Sequence, residues 1–314
     1  MMKISQNECI RYLKEQDDFL IITHIRPDGD TLGSAAALCH ILRTMGKTAY
    51  LYDNPQTTDT YKPWVSAYIA EPGFVPGCVV AVDLASETLF PKGFDPTTVF
   101  QLCIDHHPTN TGYAQRVYCL PDKSSCGEII LMMAQELGIM DKTIANLLYI
   151  AVSTDCGCFA YGNTGADTHV AAAELIRAGA DIGSLNKILF RTASFSRLML
   201  EGLIYSGMQR FAEGAVAVAT VTLDMMRKSG ATEDDCDDLA SLMGRVAGTR
   251  VAVTIRELGE NDCKLSLRSG ADFDSSAVCA KHGGGGHKMA SGCSITANPQ
   301  QACDMIVRDI LEAL

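Results

Sequence analysis

The amino-acid sequence predicts an α/β protein: a parallel, doubly wound sheet domain followed by a smaller α/β domain across a cleft. Three observations predict that class. Short apolar runs alternate with helix-length stretches through the first half of the chain, the order that builds a parallel sheet. Acidic and histidine residues fall just past several of those runs, where ligands bind in such sheets. With 314 residues, the chain also exceeds what one core usually organises, so two cores are expected.

Taken in order, residues 19–23 are a short apolar run, followed by a polar loop and a helical stretch over about 32–45 that Gly46 closes. Residues 79–82 and 99–104 are compact strand-like runs ending in Asp83 and Asp105, and helices are expected over 126–137 and 144–152. Residues 165–208 read as helical. After Gly214 the pattern changes to strands at 215–223, 251–256 and 264–268, then a glycine-rich loop before His287 and a last helix over 299–314. The boundary is expected in the helical region, giving a first domain over 1–190, a helical linker over 191–212 and a second domain over 213–314.

Hydrophobic residues make up 47% of the chain and charged residues 20%, the balance of an ordinary globular protein. A net charge of -11 disfavours tight binding along a long nucleic-acid duplex, but it is compatible with a small anionic ligand in a metal-lined pocket. The 13 cysteines are scattered, odd in number and never spaced Cys-x-x-Cys, so they read as buried thiols in a reducing compartment. No secretory pattern opens the chain and no apolar run reaches spanning length. A cytoplasmic protein without membrane contact is therefore expected.

The segment T-H-I-R-P-D-G-D-T-L-G-S puts His24, Asp28 and Asp30 within seven residues, directly after the first apolar run. Pro-Asp-Gly-Asp is also good turn chemistry, and an aspartate there can simply cap the next helix. Asp83 ends one strand-like run, and Asp105, His106 and His107 end another, so independent strands aim side chains at one edge. Asp155, after Ser153 and Thr154, can reach the same edge or be only a helix-terminal aspartate. Jointly, one or two imidazoles with four or five carboxylates form an oxygen-rich, nitrogen-assisted donor set. It suits Mn²⁺ better than Ca²⁺, a zinc thiolate cage or copper, with Mg²⁺ or Co²⁺ as substitutes. That many carboxylates imply two ions. Ions roughly 3.5–4 Å apart activate a bridging water against phosphorus, so phosphoester hydrolysis needs no nucleophilic side chain.

In order and spacing, H-x-x-x-D-x-D, a strand-terminal Asp, D-H-H and a later S-T-D resemble the four motifs of the DHH phosphoesterase superfamily. Arg268-Ser269, followed by the run from His282 through four glycines to His287 and Lys288, is similar to the substrate-binding DHHA1 domain that accompanies it. The resemblance covers nearly the whole chain. It implies that His24 and Asp28 hold one metal, that Asp30, His106 and Asp155 hold the other, and that Asp83 bridges them. Asp105 and His107 would orient ligands or touch phosphate beside Asp83 and His106 at the catalytic centre. Arg268, Ser269, Gly284, Gly285, Gly286 and His287 would bind substrate. Residues without Cβ let backbone N–H groups approach a phosphate, with Arg268 and His287 supplying directed donors. Taken alone, four glycines read first as a flexible linker or an awkward loop, and the flanking Arg268 and His287 reverse that preference.

Within the superfamily, the arrangement resembles the small oligoribonucleases, or nanoRNases, that also dephosphorylate 3′-phosphoadenosine 5′-phosphate. A short oligonucleotide or small phosphorylated nucleotide is the implied substrate, with closure of both domains on it and a homodimer as the implied assembly. In one departure, the subgroup's D-T-G-S-F-R reads here Asp155-Cys156-Gly157-Cys158-Phe159-Ala160, without the basic residue, which leaves substrate preference open. Cys156 or Cys158, if close to the metals, would make the enzyme sensitive to oxidation. Four other readings compete. They are a cyclic-dinucleotide phosphodiesterase, a DHH-type pyrophosphatase or exopolyphosphatase, an exonuclease of long DNA and a non-catalytic nucleotide-binding module.

Overall fold

The apolar runs of the first half pair into one all-parallel, six-stranded sheet. Its strands are β1 (Met2–Lys3), β2 (Phe19–Ile22), β3 (Ala49–Leu51), β4 (Cys78–Val82), β5 (Leu102–Asp105) and β6 (Arg116–Cys119), in the order β1-β6-β5-β4-β2-β3. The computed structural model describes residues 1–236 and 239–314, and the chain divides into two units, Met1–Thr192 and Ala193–Leu314. The helices of the first unit are α1 (Gln6–Glu15), α2 (Gly29–Thr44), α3 (Lys62–Val65), α4 (Cys126–Leu137), α5 (Lys142–Asp155), α6 (Ala166–Arg177) and α7 (Ile182–Phe190).

Strand alternation sorts the sheet's side chains between two cores. Phe19, Ile21, Val80, Val82, Leu102 and Ile104 join the core formed with α1, α2, α4 and α5. Ile22, Val79, Ala81 and Cys103 pack instead under Phe90, Phe94, Phe100 and Tyr113, from the segments between β4 and β6. Each large apolar side chain fully buried in this way contributes about 1.5–3 kcal/mol. The strand expected over 99–104 starts three residues later, because Phe100 turns into the aromatic core and Gln101 Oε1 accepts the Val79 N–H.

α2 begins at Gly29, earlier than the expected residue 32, because the Asp28 side chain accepts the N–H groups of Asp30 and Thr31 and caps it. α4 is bounded by Ser125, which accepts the Glu128 N–H, and by Gly138 at φ 66, a left-handed stop that favours glycine. The long helical region resolves into α6, α7 and α8 (Phe195–Ser206). The last of these is not part of a linker over 191–212. Leu200 and Ile204 of α8 are buried in the second unit with Ala217, Ala219 and Leu242.

In the second unit, β7 (Gln209–Phe211), β8 (Val216–Val221), β9 (Val251–Gly259), β10 (Asp262–Ser269), β11 (Gly285–His287) and β12 (Ala290–Ile295) form a sheet in the order β11-β12-β10-β9-β8-β7. Among the described residues of this sheet, β8 and β9 pair in parallel and the other neighbours antiparallel. Its remaining helices are α9 (Leu223–Ser229), α10 (Ser275–Ala280) and α11 (Pro299–Ala313). Val218, Val253, Leu265 and Leu267 face Ile306 and Ile310 of α11. The segment expected as a glycine loop thus ends in an edge strand, β11. Among the described residues, no helix is long and apolar enough to cross a membrane.

Candidate metal centre

The carboxyl edge of the parallel sheet gathers the acidic and histidine residues of four chain segments. His24 follows β2, Asp83 follows β4, Asp105 ends β5 with His106 and His107 after it, and Asp155 ends α5. Asp28 and Asp30 lie at the start of α2. Donor atoms of His24, Asp28 and Asp83 lie within 4.8 Å of one another, as do those of Asp30, His106 and Asp155, and those of Asp83, His106 and His107.

Two of the imidazoles are oriented by main-chain carbonyls. Nδ1 of His24 lies 2.8 Å from the Ile25 carbonyl and Nδ1 of His106 lies 3.2 Å from the Lys123 carbonyl. A carbonyl only accepts, so each Nδ1 carries a proton and each Nε2 is left for a ligand. His24 Nε2 is 3.6 Å from Asp28 Oδ1 and 3.7 Å from Asp83 Oδ2. His106 Nε2 is 3.4 Å from Asp83 Oδ1, 3.7 Å from Asp30 Oδ2 and 3.8 Å from Asp155 Oδ2. Asp83 Oδ2 therefore faces His24, while its Oδ1 faces His106 and, at 3.5 Å, His107 Nδ1. Asp83 adopts φ 56, the left-handed region that non-glycine residues occupy under strain, and such strain persists where the surroundings enforce it.

Asp30 is 1% exposed and held from three sides. Its Oδ2 accepts the Cys126 N–H at 2.7 Å, and its Oδ1 accepts the Gly127 N–H at 2.9 Å and the Ser34 hydroxyl at 3.0 Å. Two of those donors open α4, so the helix N-terminus offsets part of the carboxylate charge. Asp105, expected at the catalytic centre, belongs to none of the donor groups. Its Oδ1 accepts the His106 and His107 N–H groups and His107 Nδ1, and its Oδ2 accepts Asn110 Nδ2 at 2.6 Å. It positions both histidines rather than offering a free oxygen.

Packing these groups together shifts their protonation. Burial, reinforced by Asp83 and Asp155, raises Asp30 well above the usual carboxylate range. Burial also raises Asp83, and it pushes Asp155 up to about 7 against the pull of His106. Burial alone would lower the imidazoles, yet Asp28 and Asp83 push His24 up to about 9, and Asp83 and Asp30 push His106 up to about 10. The centre therefore holds more negative charge than its own cations balance, and it must take up protons or divalent cations. Asp83 Oδ1 is buried without a hydrogen-bond partner, an acceptor that a cation would satisfy. Donor chemistry and geometry both fit divalent ions.

Among the expected substrate residues, Arg268 on β10 stands opposite Ala290 on β12, which stands opposite His287 on β11. Directly paired residues share a sheet face, so both side chains rise from one face with a single methyl group between them, roughly 10 Å apart across two strand spacings. Both are exposed. The glycines have a partly different role from the one expected. A Cβ at Gly286, whose φ is 138, would lie 2.6 Å from the Ala290 carbonyl, and one at Gly284 would strike Cys293, so these two allow β11 to lie close on β12. Gly285 has open space around it. The Ser269 hydroxyl faces the Phe273 and Lys288 carbonyls, which makes it a local strut.

Three asparagines escape a reading of the sequence. Asn163 donates to the Ser124 carbonyl and to the carbonyl and Oδ2 of Asp155. Asn110 holds Asp105, and Asn54 donates to the Thr23 hydroxyl and the His24 carbonyl. Ser34 carries a readable signal, since it sits four residues after Asp30 on one helix face. Cys156 is not the reactive thiol expected. It is fully buried, donates to the Val152 carbonyl at 2.8 Å, and is pushed up to about 11 by burial. Cys158 is half-buried.

Fold and donor set together define a hydrolase of phosphoester bonds that uses divalent metal. Residues 18–152 match the DHH family, N-terminal domain, and residues 213–314 match the DHHA1 domain. A relative from Thermus thermophilus, named bifunctional oligoribonuclease and PAP phosphatase NrnA, is 30% identical over 94% of this chain and 89% of its own. A relative of the same name from Bacillus subtilis is 27% identical over 92% of this chain and 93% of its own. The chain is also similar in fold to an exopolyphosphatase-related protein from Bacteroides fragilis, with 22% identity, 98% of this chain and 95% of that one covered, and a TM-score of 0.89. The chain belongs to the DHH phosphoesterase family.

Proposed function

We propose that the chain hydrolyses very short oligonucleotides and 3′-phosphoadenosine 5′-phosphate, with two Mn²⁺ ions as cofactors. The observation that carries this reading is Asp83, whose Oδ2 faces His24 and whose Oδ1 faces His106 and His107, so that its two oxygens look to different donor groups. His24, Asp28 and Asp83 would hold one ion, Asp30, His106 and Asp155 the other, with Asp83 common to both. Bound there, the ions supply an activated water and neutralise charge on the phosphate. The chain's own part is pre-organisation: fixed imidazole tautomers, Asp30 held at the start of α4, and Asp155 steadied by Asn163. His107, held through Nδ1 by Asp105 at 2.8 Å, would present Nε2 to a phosphate oxygen.

Arg268, His287 and the open Gly285 of the second unit are the proposed substrate contacts. A phosphate group suits two directed donors on one sheet face. The names of the Thermus thermophilus and Bacillus subtilis relatives support the substrate class, and the net charge of -11 favours short ligands over long duplexes.

The test is release of AMP from the linear dinucleotide pApA by the full-length protein with Mn²⁺, with Asp83→Ala as the control for contaminating nuclease. Release that vanishes in the variant supports the reading. No release from pApA or 3′-phosphoadenosine 5′-phosphate by metal-loaded protein refutes it and turns attention to cyclic dinucleotides or pyrophosphate.

A further inference from the structure

Arg26 sits in the middle of the ligand-bearing loop, two residues after His24 and two before Asp28, with φ 50. The backbone around it is fixed. The Ile25 N–H donates to the Leu89 carbonyl at 2.7 Å, the Ile25 carbonyl accepts His24 Nδ1, and Pro27 is buried, while Arg26 itself is exposed. Left-handed backbone is disfavoured for a long side chain, whereas asparagine and glycine adopt it more readily. Among the described residues, no hydrogen bond or ion pair of the Arg26 guanidinium explains why an arginine stands there. Strained, exposed and chemically assertive residues beside a reaction centre are the ones that act on a ligand.

The surrounding charges sharpen the point. Lys123, whose carbonyl accepts His106 Nδ1, is already paired with Asp167 at 3.1 Å and lies 3.9 Å from Glu128. Ala160, five residues past Asp155, offers no cation. Two peptide units keep the Arg26 Cα within about 7 Å of the Cα atoms of both His24 and Asp28. A guanidinium on a side chain of that length can extend beyond the donor atoms and meet a second phosphate with its paired N–H groups.

We propose that Arg26 is a specificity-determining residue that grips the substrate phosphate adjoining the scissile one: the 5′-phosphate of pApA or of 3′-phosphoadenosine 5′-phosphate. The proposal rests on the short-nucleotide reading above. It makes the enzyme selective for 5′-phosphorylated ends.

The experiment compares wild type, Arg26→Asn and Arg26→Lys, full-length and loaded with Mn²⁺, on pApA and on ApA, which lacks the 5′-phosphate. Arg26→Asn raises KM for pApA by about 10–100-fold, the loss of a charge-assisted contact, with kcat within about threefold. KM for ApA stays unchanged, so the preference for pApA collapses, and Arg26→Lys recovers part of it. The thermal midpoint of Arg26→Asn stays at or above that of wild type, because asparagine tolerates the backbone. An unchanged KM for pApA, or equal losses on both substrates, overturns the proposal. So does a lower metal-free midpoint together with altered Mn²⁺ affinity, which would make Arg26 a counter-ion for the ligands. If wild type cleaves neither substrate, the short-nucleotide reading fails separately. Calorimetric binding of AMP and adenosine then decides Arg26, since only AMP should bind Arg26→Asn more weakly than wild type.

Discussion

Replacing Gly33 with alanine should damage both stability and the metal centre, because α2 and α5 touch backbone to backbone there. A Cβ at Gly33 would lie 2.5 Å from the Leu147 carbonyl oxygen, 3.0 Å from the Ala151 nitrogen and 3.1 Å from the Ala151 Cβ. None of these atoms is the mobile end of a side chain. Ala151 is also pressed from α4, where a Cβ at Gly127 would sit 2.6 Å from its Cβ, so α5 cannot simply retreat. Reaching the 3.4 Å of ordinary contact requires the two helices to part by about 0.9 Å. Overpacking of this kind costs about 1–3 kcal/mol, and alanine's better helix propensity returns about 1 kcal/mol. A net loss of up to about 2 kcal/mol should lower the thermal midpoint by up to roughly 8 °C. Asp30 lies in the first turn of α2 and Asp155 ends α5, so the same displacement separates two residues of one donor group. Misplacement approaching 1 Å should lower activity by about 100-fold. Differential scanning calorimetry with and without Mn²⁺, paired with turnover of pApA, measures both effects. A variant as stable and as active as wild type would refute the packing argument. Lost stability with unchanged Mn²⁺ affinity and activity would refute the link from helix spacing to the centre.

Asp83→Asn and Asp30→Asn should both abolish turnover yet differ in melting. Asp30 accepts three hydrogen bonds, and an amide oxygen leaves a main-chain donor of α4 unmatched at a cost of about 1–3 kcal/mol, whereas the metal-free Asp83→Asn protein should melt no lower than wild type. Equal midpoints for the two variants would contradict this. Chelation with EDTA should lower the midpoint, and Mn²⁺ at 100 times its dissociation constant should restore about 2.7 kcal/mol, read by calorimetric titration; a midpoint indifferent to chelation would count against metal binding. A thiol reagent applied to native protein should modify no more than Cys119 and Cys158 rapidly, because the other cysteines are buried. Rapid reaction of Cys156 would show that its helix end opens.

How much of this is legible in the sequence depends on where each feature comes from. α4 can be bounded from sequence alone because both its ends carry strong local signals, Ser125 as cap and Gly138 as left-handed stop. The start of α2 is harder, since Asp28 is at once a candidate ligand and the cap that starts the helix at Gly29. The candidate ligands are visible because they stand at the ends of apolar runs, where fold class and chemistry point to the same edge. Asn54, Asn110 and Asn163 are not visible. They reach the centre from loops, and the meeting of Asn163 with Ser124, 39 residues away, is a tertiary fact that no local spacing encodes. The glycines of 284–286 are legible as a set but not by role, because crowding against Cys293 and Ala290 appears only once β11 is paired with β12.

The supports around the acidic cluster are uneven, and the unevenness says what kind of centre it is. Asp30 and Asp105 are saturated with donors from main chain, serine, histidine and asparagine, so their orientation does not depend on any cation. Asp83 is as deeply buried but has an oxygen with no partner and a left-handed backbone. Burying a carboxylate in that state destabilises the metal-free fold, and the neighbouring imidazoles of His24, His106 and His107 offset only part of that cost. A fold selected for stability alone would place a hydrogen-bond donor or an apolar group there. Its retention beside three imidazoles, within a cluster that carries more carboxylates than imidazoles, fits a centre that divalent cations complete. The same reasoning extends to Arg26, a strained cation in the loop between His24 and Asp28 that has no hydrogen bond or ion pair among the described residues. With Arg26 on a second phosphate as proposed, the interior would be completed by cations and the adjoining loop by an anion, which is the division of charge that phosphoester hydrolysis requires.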